Sequence, residues 1–256
     1  MTNPPTFERL RIERRGRTAV VTLANGKVNA LNRDVLGDLV SAVDFCERDS
    51  DVAALVLTGD GSVFSAGLDV TEVLANDSGY TAGLLDDLAA VLIRIFSCPL
   101  PTVVAVNGSA IAGGCLLACA FDTRLLAQEA RIGVTELKVG VAFPVMTVEL
   151  LRHVCGPRAE QVMLNAALLG ADEALLSGLV HQVVPRSELD DAAIAAAEHL
   201  GSLDARAYAL AKESSRRFAL SAMEDPAGRA LNGHVLDHWN DDRTRANLET
   251  LLAPRR

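Results

Sequence analysis

Aromatic side chains are scarce: one Trp, two Tyr and seven Phe make up 4% of 256 residues. A core for this chain must therefore be built from small aliphatic side chains in closely packed elements. No stretch of eighteen residues is both apolar and free of charge, which argues against a membrane-spanning helix. The first seventeen residues, MTNPPTFERLRIERRGR, contain no apolar segment of the kind a secretory leader needs. Basic residues are outnumbered, giving a formal net charge of −9. That balance excludes general nucleic-acid binding, which needs a basic face. It leaves room for a small anionic ligand, because local basic groups and helix N-termini bind phosphate even on an acidic protein. Cysteines are few and odd in number (Cys46, Cys98, Cys115, Cys119 and Cys155) and lie in apolar surroundings. Reduced, buried thiols and a cytoplasmic setting are the expectation. Cys115 and Cys119 are one helical turn apart, but neither a histidine nor a second cysteine pair accompanies them, so no metal site is expected.

Half of the residues are hydrophobic, and they are distributed in a repeating plan. Residues 19–23, 53–57 and 102–106 are short apolar runs, each closed by a turn containing Gly26, Gly59 or Gly108. Runs of this kind suit strands covered on both faces. Helical patterns at 32–47 and 83–96 fall between them, so the sheet should be largely parallel with crossover helices. Further strands are expected at 123–127 and 130–134. Beyond Gly156 the pattern becomes helical at 157–168 and 171–177, returns to a strand at 179–184, and continues as helices at 187–200, 204–220 and 227–252. An α/β core over 1–200 followed by a helical region over 201–256 is the resulting division.

Three segments carry groups suited to chemistry. In the first, Ser109–Ala118, a small-residue loop leads from a strand into an apolar helix through Gly113 and Gly114. Such a loop leaves N–H groups at a helix start free to meet a ligand oxygen. In the second, Phe64–Val70, Gly67 follows another strand in the same way. Together the two loops could hold one carbonyl oxygen between two backbone donors. Each loop alone is more commonly a plain connection. The third segment contains Glu136 among apolar neighbours; in a partly dry site its pKa would rise and it could move a proton near neutral pH. Taken alone, Glu136 would more often be a solvated loop residue or a carboxylate at a helix start.

In combination and order, these segments resemble the crotonase family, also called the enoyl-CoA hydratase/isomerase family. The matching residues are VNALN at 28–32, FSAGLDV at 64–70, NGSAIAGGCLLA at 107–118, the Glu136 segment, and GADEA with GLV at 170–174 and 178–180. The resemblance covers about residues 10 to 220. It implies a spiral of repeated ββα units with a C-terminal helical region that packs between subunits, in a homotrimer or a homohexamer. It also implies a coenzyme A thioester as substrate, with CoA part of that substrate and no separate cofactor.

Carried over residue by residue, the resemblance places the thioester oxygen on the N–H groups of Leu68 and Gly113. It places Val28, Ala30, Ala66 and Asp69 beside CoA, and makes Glu136 the acid/base. Lys27 is either a phosphate contact or a solvated lysine. The run Arg9, Arg11, Arg14, Arg15 and Arg17 reads better as a solvated strand face than as a CoA site.

The family's hydratases use two glutamates about a water. The first would fall at Leu116, which can neither orient nor deprotonate water; the second is Glu136. One carboxylate suits a 3,2-enoyl-CoA isomerase, and the run GGCLLA followed by Glu136 resembles the mitochondrial type of that enzyme. The alternatives are an enoyl-CoA hydratase and a non-catalytic acyl-CoA binder. No Asp or Glu lies between Leu137 and Val148, where Pro144 stands near the position of the family dehalogenases' nucleophile. Tyr80 and Tyr208 lie outside the motifs, and His181 reads as structural.

Overall fold

The computed structural model describes residues 6–223 and 225–253. Its strands are β1 (Leu10–Arg15), β2 (Thr18–Leu23), β3 (Ala54–Gly59), β4 (Val63–Ser65), β5 (Thr102–Val106), β6 (Ser109–Ile111), β7 (Thr123–Ala127), β8 (Ile132–Gly133) and β9 (Gln182–Val184). Its α-helices are α1 (Arg33–Arg48), α2 (Val70–Ala75), α3 (Ser78–Phe96), α4 (Gly113–Cys119), α5 (Val145–Cys155), α6 (Ala159–Leu164), α7 (Ala171–Ser177), α8 (Leu189–Gly201), α9 (Ala205–Met223), α10 (Pro226–Trp239) and α11 (Asp242–Leu252).

The longer strands form one six-stranded sheet in the order β1-β2-β3-β5-β7-β9. β1 and β2 form an antiparallel hairpin, and the remaining pairings are parallel. Every residue of β5 is buried, as its unbroken apolar sequence TVVAV requires of a strand covered on both faces. β1 has the opposite character. Four of its six residues are exposed, and Arg11 and Arg14 pair there with Asp60 and Asp51. The basic run is thus a solvated strand face.

The short strands β4, β6 and β8 form a second, parallel sheet. A long strand, a short strand and a helix recur three times along the chain, which is the expected ββα repeat. After β2 the second strand is reduced to one bridge, Leu31 to Leu68, before α1 starts. Asn32 caps that helix by accepting the Val35 N–H at 3.0 Å.

Several boundaries differ from those read in the sequence. β4 and β6, read as loops, are three-residue strands that form only because the neighbouring chain segments supply their partners. α3 starts at Ser78 rather than at 83, because Asp77 accepts the Tyr80 N–H at 3.0 Å and caps it. α5 has no counterpart among the helices expected from the sequence. The expected helix at 157–168 ends at Leu164, and the strand at 179–184 keeps only its last three residues. The single helix expected at 227–252 is two: it breaks after Trp239, and Asp241 restarts it by accepting the Thr244 N–H at 2.7 Å.

The C-terminal helices are fastened to the core through charge. Asp122 sits between Lys212 at 2.9 Å and Arg216 at 2.7 Å, and accepts the Tyr208 hydroxyl at 2.8 Å. The Arg216 guanidinium also stacks on Phe96, 4.1 Å from the ring centre. Burial pushes the pKa values of Lys212 and Arg216 down, and Asp122 opposes that shift. The five cysteines are buried and free. Among the described residues no cluster of three or more metal-ligating side chains occurs, and no helix is long and apolar enough to cross a membrane.

Candidate active site

β4 and β6 lie side by side, so the loops that follow them emerge together. The loop after β4 is held through its own backbone. Ala66 N–H donates to Val28 C=O at 2.9 Å, Leu31 N–H to Gly67 C=O at 2.8 Å, and Asp69 N–H to Leu31 C=O at 2.9 Å. Leu68 is thereby fixed on both sides, while its own N–H has no backbone acceptor among the described residues. Gly113 is the first residue of α4, where an N–H has no intrahelical partner. The two free donors are neighbours. A Cβ placed on Gly113 would stand 3.4 Å from the Leu68 nitrogen, and one on Gly67 would stand 3.1 Å from the Gly113 nitrogen.

Backbone strain aims the second donor. Ala112 has φ 52° and ψ −120°, a conformation that L-residues rarely adopt and that costs on the order of 1–3 kcal/mol. Gly114 is required on other grounds, since a Cβ there would stand 2.5 Å from the Ser65 carbonyl oxygen. The start of α4 can approach β4 only without that side chain.

Two buried polar residues, given no role in the sequence reading, stitch the loops together. The Ser65 hydroxyl donates to Asn29 C=O at 2.8 Å and accepts the Gly67 N–H at 3.2 Å. Asn29 has a φ of 47°, which Asn tolerates better than most residues. Its side chain accepts the Asn25 N–H at 3.0 Å and donates to Val63 C=O at 2.9 Å. A polar residue inside the otherwise apolar Val28–Leu31 segment, and a serine two residues before a glycine, were the available signals.

One cavity of about 450 Å³ collects the expected site residues. Val28, Ala30, Ala66, Leu68, Asp69, Gly113 and Glu136 all line it. Leu116 lines it too, and is 2% exposed. Asp69 and Glu136 are the carboxylates on the wall among the described residues. Asp69 is occupied in capping α2, accepting the Thr71 and Glu72 N–H groups at 3.0 and 3.3 Å. Glu136 begins a 3-10 turn, Glu136–Val139, and is buried, with Oε2 lacking any hydrogen-bond partner. Burial raises its pKa to about 7, against the opposing pull of backbone hydrogen bonds at Glu136 and Thr135. The arrangement can therefore hold a carbonyl oxygen on two N–H groups and move a proton beside it.

Other residues weighed in the sequence lie elsewhere. Lys27 is exposed and off the cavity wall. Tyr80 bonds Glu72, and Tyr208 bonds Asp122. His181 packs on Arg124, whose backbone N–H donates to its Nδ1 at 3.1 Å. Burial, then the Arg124 charge, lowers the His181 pKa to about 4, as fits a structural histidine. The tail also contributes: Trp239, Leu248, Leu251 and Leu252 close one side of the cavity.

Comparisons with known proteins bear on the family and the fold. The family described as enoyl-CoA hydratase/isomerase matches residues 13–250. A probable enoyl-CoA hydratase of Mycobacterium tuberculosis is 33% identical over 223 residues, 86% of each chain. The human mitochondrial enoyl-CoA delta isomerase 1 is 34% identical over 209 residues, 80% of this chain and 69% of that protein. The crystal structure of human mitochondrial delta3-delta2-enoyl-CoA isomerase superposes with a TM-score of 0.90 at 29% identity, covering 96% of this chain and 97% of that one. The chain belongs to the enoyl-CoA hydratase/isomerase family.

Proposed function

We propose that the protein converts a 3-enoyl-CoA into the conjugated 2-enoyl-CoA, with Glu136 carrying one proton. The carboxylate removes a proton from C2, and the electron pair moves into the thioester, giving a dienolate. Its charge gathers on the thioester oxygen, where the N–H groups of Leu68 and Gly113 hold it more tightly than they hold the neutral carbonyl. The Glu136 carboxylic acid then returns the proton at C4, and the double bond shifts from C3–C4 to C2–C3. Protons and electrons balance within substrate and Glu136. Val28, Ala30, Ala66 and Asp69 border the CoA portion, which belongs to the substrate and not to a resident cofactor.

The observation that carries this reading is the asymmetry of the wall: one buried carboxyl whose Oε2 has no hydrogen-bond partner, with Leu116 on α4 where a hydratase would need a second carboxylate. Hydration of a 2-enoyl-CoA is the second reading, favoured by relatives named as hydratases. Leucine cannot hold the attacking water, and this weighs against it.

The test is to offer one preparation 3-hexenoyl-CoA and crotonyl-CoA. The first should be isomerised, with kcat/KM falling on the acid side near pH 7 as Glu136 becomes protonated. Glu136→Gln should lose about 10²- to 10⁴-fold of that rate, the usual worth of a general base, while remaining folded. Faster hydration of crotonyl-CoA than isomerisation would overturn the reading. An assembly of three or six copies and a cytoplasmic setting belong to the same proposal. The assembly is supported by large apolar side chains in water on one copy, Leu164 at 70% and Phe218 at 73% exposed.

A further inference from the structure

Four contacts join the C-terminal helices of the chain to the elements around Glu136. Trp239 Nε1–H, at the end of α10, donates to Ala142 C=O at 3.0 Å. The Thr244 hydroxyl on α11 donates to Gly140 C=O at 3.3 Å. Gly140 ends the 3-10 turn that Glu136 begins, with φ 75°, and a Cβ there would stand 2.8 Å from Asn247 Nδ2. Arg245 donates to Leu74 C=O at 2.8 Å, tying α11 to α2. On α10 the Asn232 side chain accepts the Val145 N–H at 2.8 Å, capping α5 just beyond the turn. Leu248 is 1% exposed and lines the cavity. The turn carrying Glu136 is only four residues long, and these contacts add to the backbone hydrogen bonds that close it.

We infer that, within the lid of α10 and α11, Trp239 positions the Glu136 turn through Ala142 and Leu248 keeps water from the Glu136 carboxyl. The inference rests on Glu136 as the proton carrier, and makes Trp239, Thr244 and Leu248 positioning residues. Few charges compete for control of that carboxyl. On the surrounding elements stand Cys115 on α4, Asp69 before α2 and Lys138 on the same turn. On the lid are His234 and Asp237 on α10, the His238–Asp241 pair at the break between helices, then Asp242, Arg243, Arg245 and Glu249 on α11. No charged neighbour is among the causes of the shift at Glu136, while the Glu136 charge helps to raise the Cys115 thiol. Burial is the largest influence on Glu136, and Trp239 and Leu248 stand on the wall of the cavity that the carboxyl lines.

The experiment compares the full chain with Trp239→Phe, Thr244→Val and Leu248→Ala, all checked for folding by circular dichroism. Trp239→Phe keeps a ring but removes the N–H, and kcat should fall about 3- to 10-fold with KM nearly unchanged, as for the loss of one net hydrogen bond. Leu248→Ala admits water and should move the acid limb of kcat/KM from near pH 7 to lower pH. The same titration is read without turnover by carboxyl ¹³C NMR of glutamate-labelled protein, the Glu136 signal being the one absent in Glu136→Gln. A downward move in Leu248→Ala by NMR supports the lid whether or not the 3-enoyl substrate is turned over. Absence of turnover in the native chain would count against the proposed reaction alone. Folded Trp239→Phe and Leu248→Ala proteins with unchanged kcat and an unmoved titration would overturn the lid. A loss of thermal stability alone, without either change, would do the same. Should Leu248→Ala fail to fold, Trp239→Phe and Thr244→Val carry the same readouts.

Discussion

Gly113 shows what a single missing side chain does here. Its backbone is not in the left-handed region, and an added methyl would meet Leu68 at 3.4 Å, an ordinary contact distance. Gly113→Ala should therefore fold, yet its methyl stands against the Leu68 N–H and into the space reserved for the thioester oxygen. Loss of one such donor costs roughly 10²- to 10³-fold in kcat. Steady-state kinetics with 3-hexenoyl-CoA, set beside an unchanged melting temperature, check this; a fully active Gly113→Ala would separate Gly113 from the chemistry. Glycine loops after strands and a carboxylate among apolar residues are local patterns that drew attention to the segments of Gly113, Leu68 and Glu136, but their roles came from the family resemblance. Asn29 and Ser65 were not legible in this way, because their hydrogen bonds reach to 25 and 63 and to 29 and 67, joining segments that only the fold brings together.

At the scale of elements, the buried strands of the larger sheet were readable from their apolar runs, whereas β4, β6 and β8 were less so. A two- or three-residue strand has no periodicity of its own and exists through its neighbours. α5 was missed for a related reason: its sequence, VMTVELLRHVC, mixes β-branched and charged residues, and its N-terminus is Pro144, which carries no side-chain cap. The Asn232 side chain does that work from a distant helix. The attachment of α9 was also unreadable, since Asp122 and Lys212 are ninety positions apart. Asp122→Asn should leave Lys212 and Arg216 buried without their anion and cost about 3–5 kcal/mol of stability. Urea unfolding of the purified variant measures this. A loss below about 1 kcal/mol, the range of solvated surface pairs, would contradict the buried-network account.

For the molecule as a whole, the apolar runs and the turns between them led to a sheet-and-helix core, and both sheets are parallel apart from the β1–β2 hairpin. The division of labour across the chain was only half visible. Its first two hundred residues supply both glycine loops and Glu136, while the tail helices complete the same cavity from the other end of the sequence. The central claim is that one carboxyl, in a cavity where Leu116 stands in place of a second glutamate, carries a proton between two carbons of an acyl thioester. The most direct measurement uses 3-hexenoyl-CoA deuterated at C2 and locates the label in the product by NMR. Deuterium recovered at C4 of 2-hexenoyl-CoA is the predicted result. Formation of 3-hydroxyhexanoyl-CoA as the main product, or a 2-hexenoyl-CoA whose C4 never carries the label, would contradict the account.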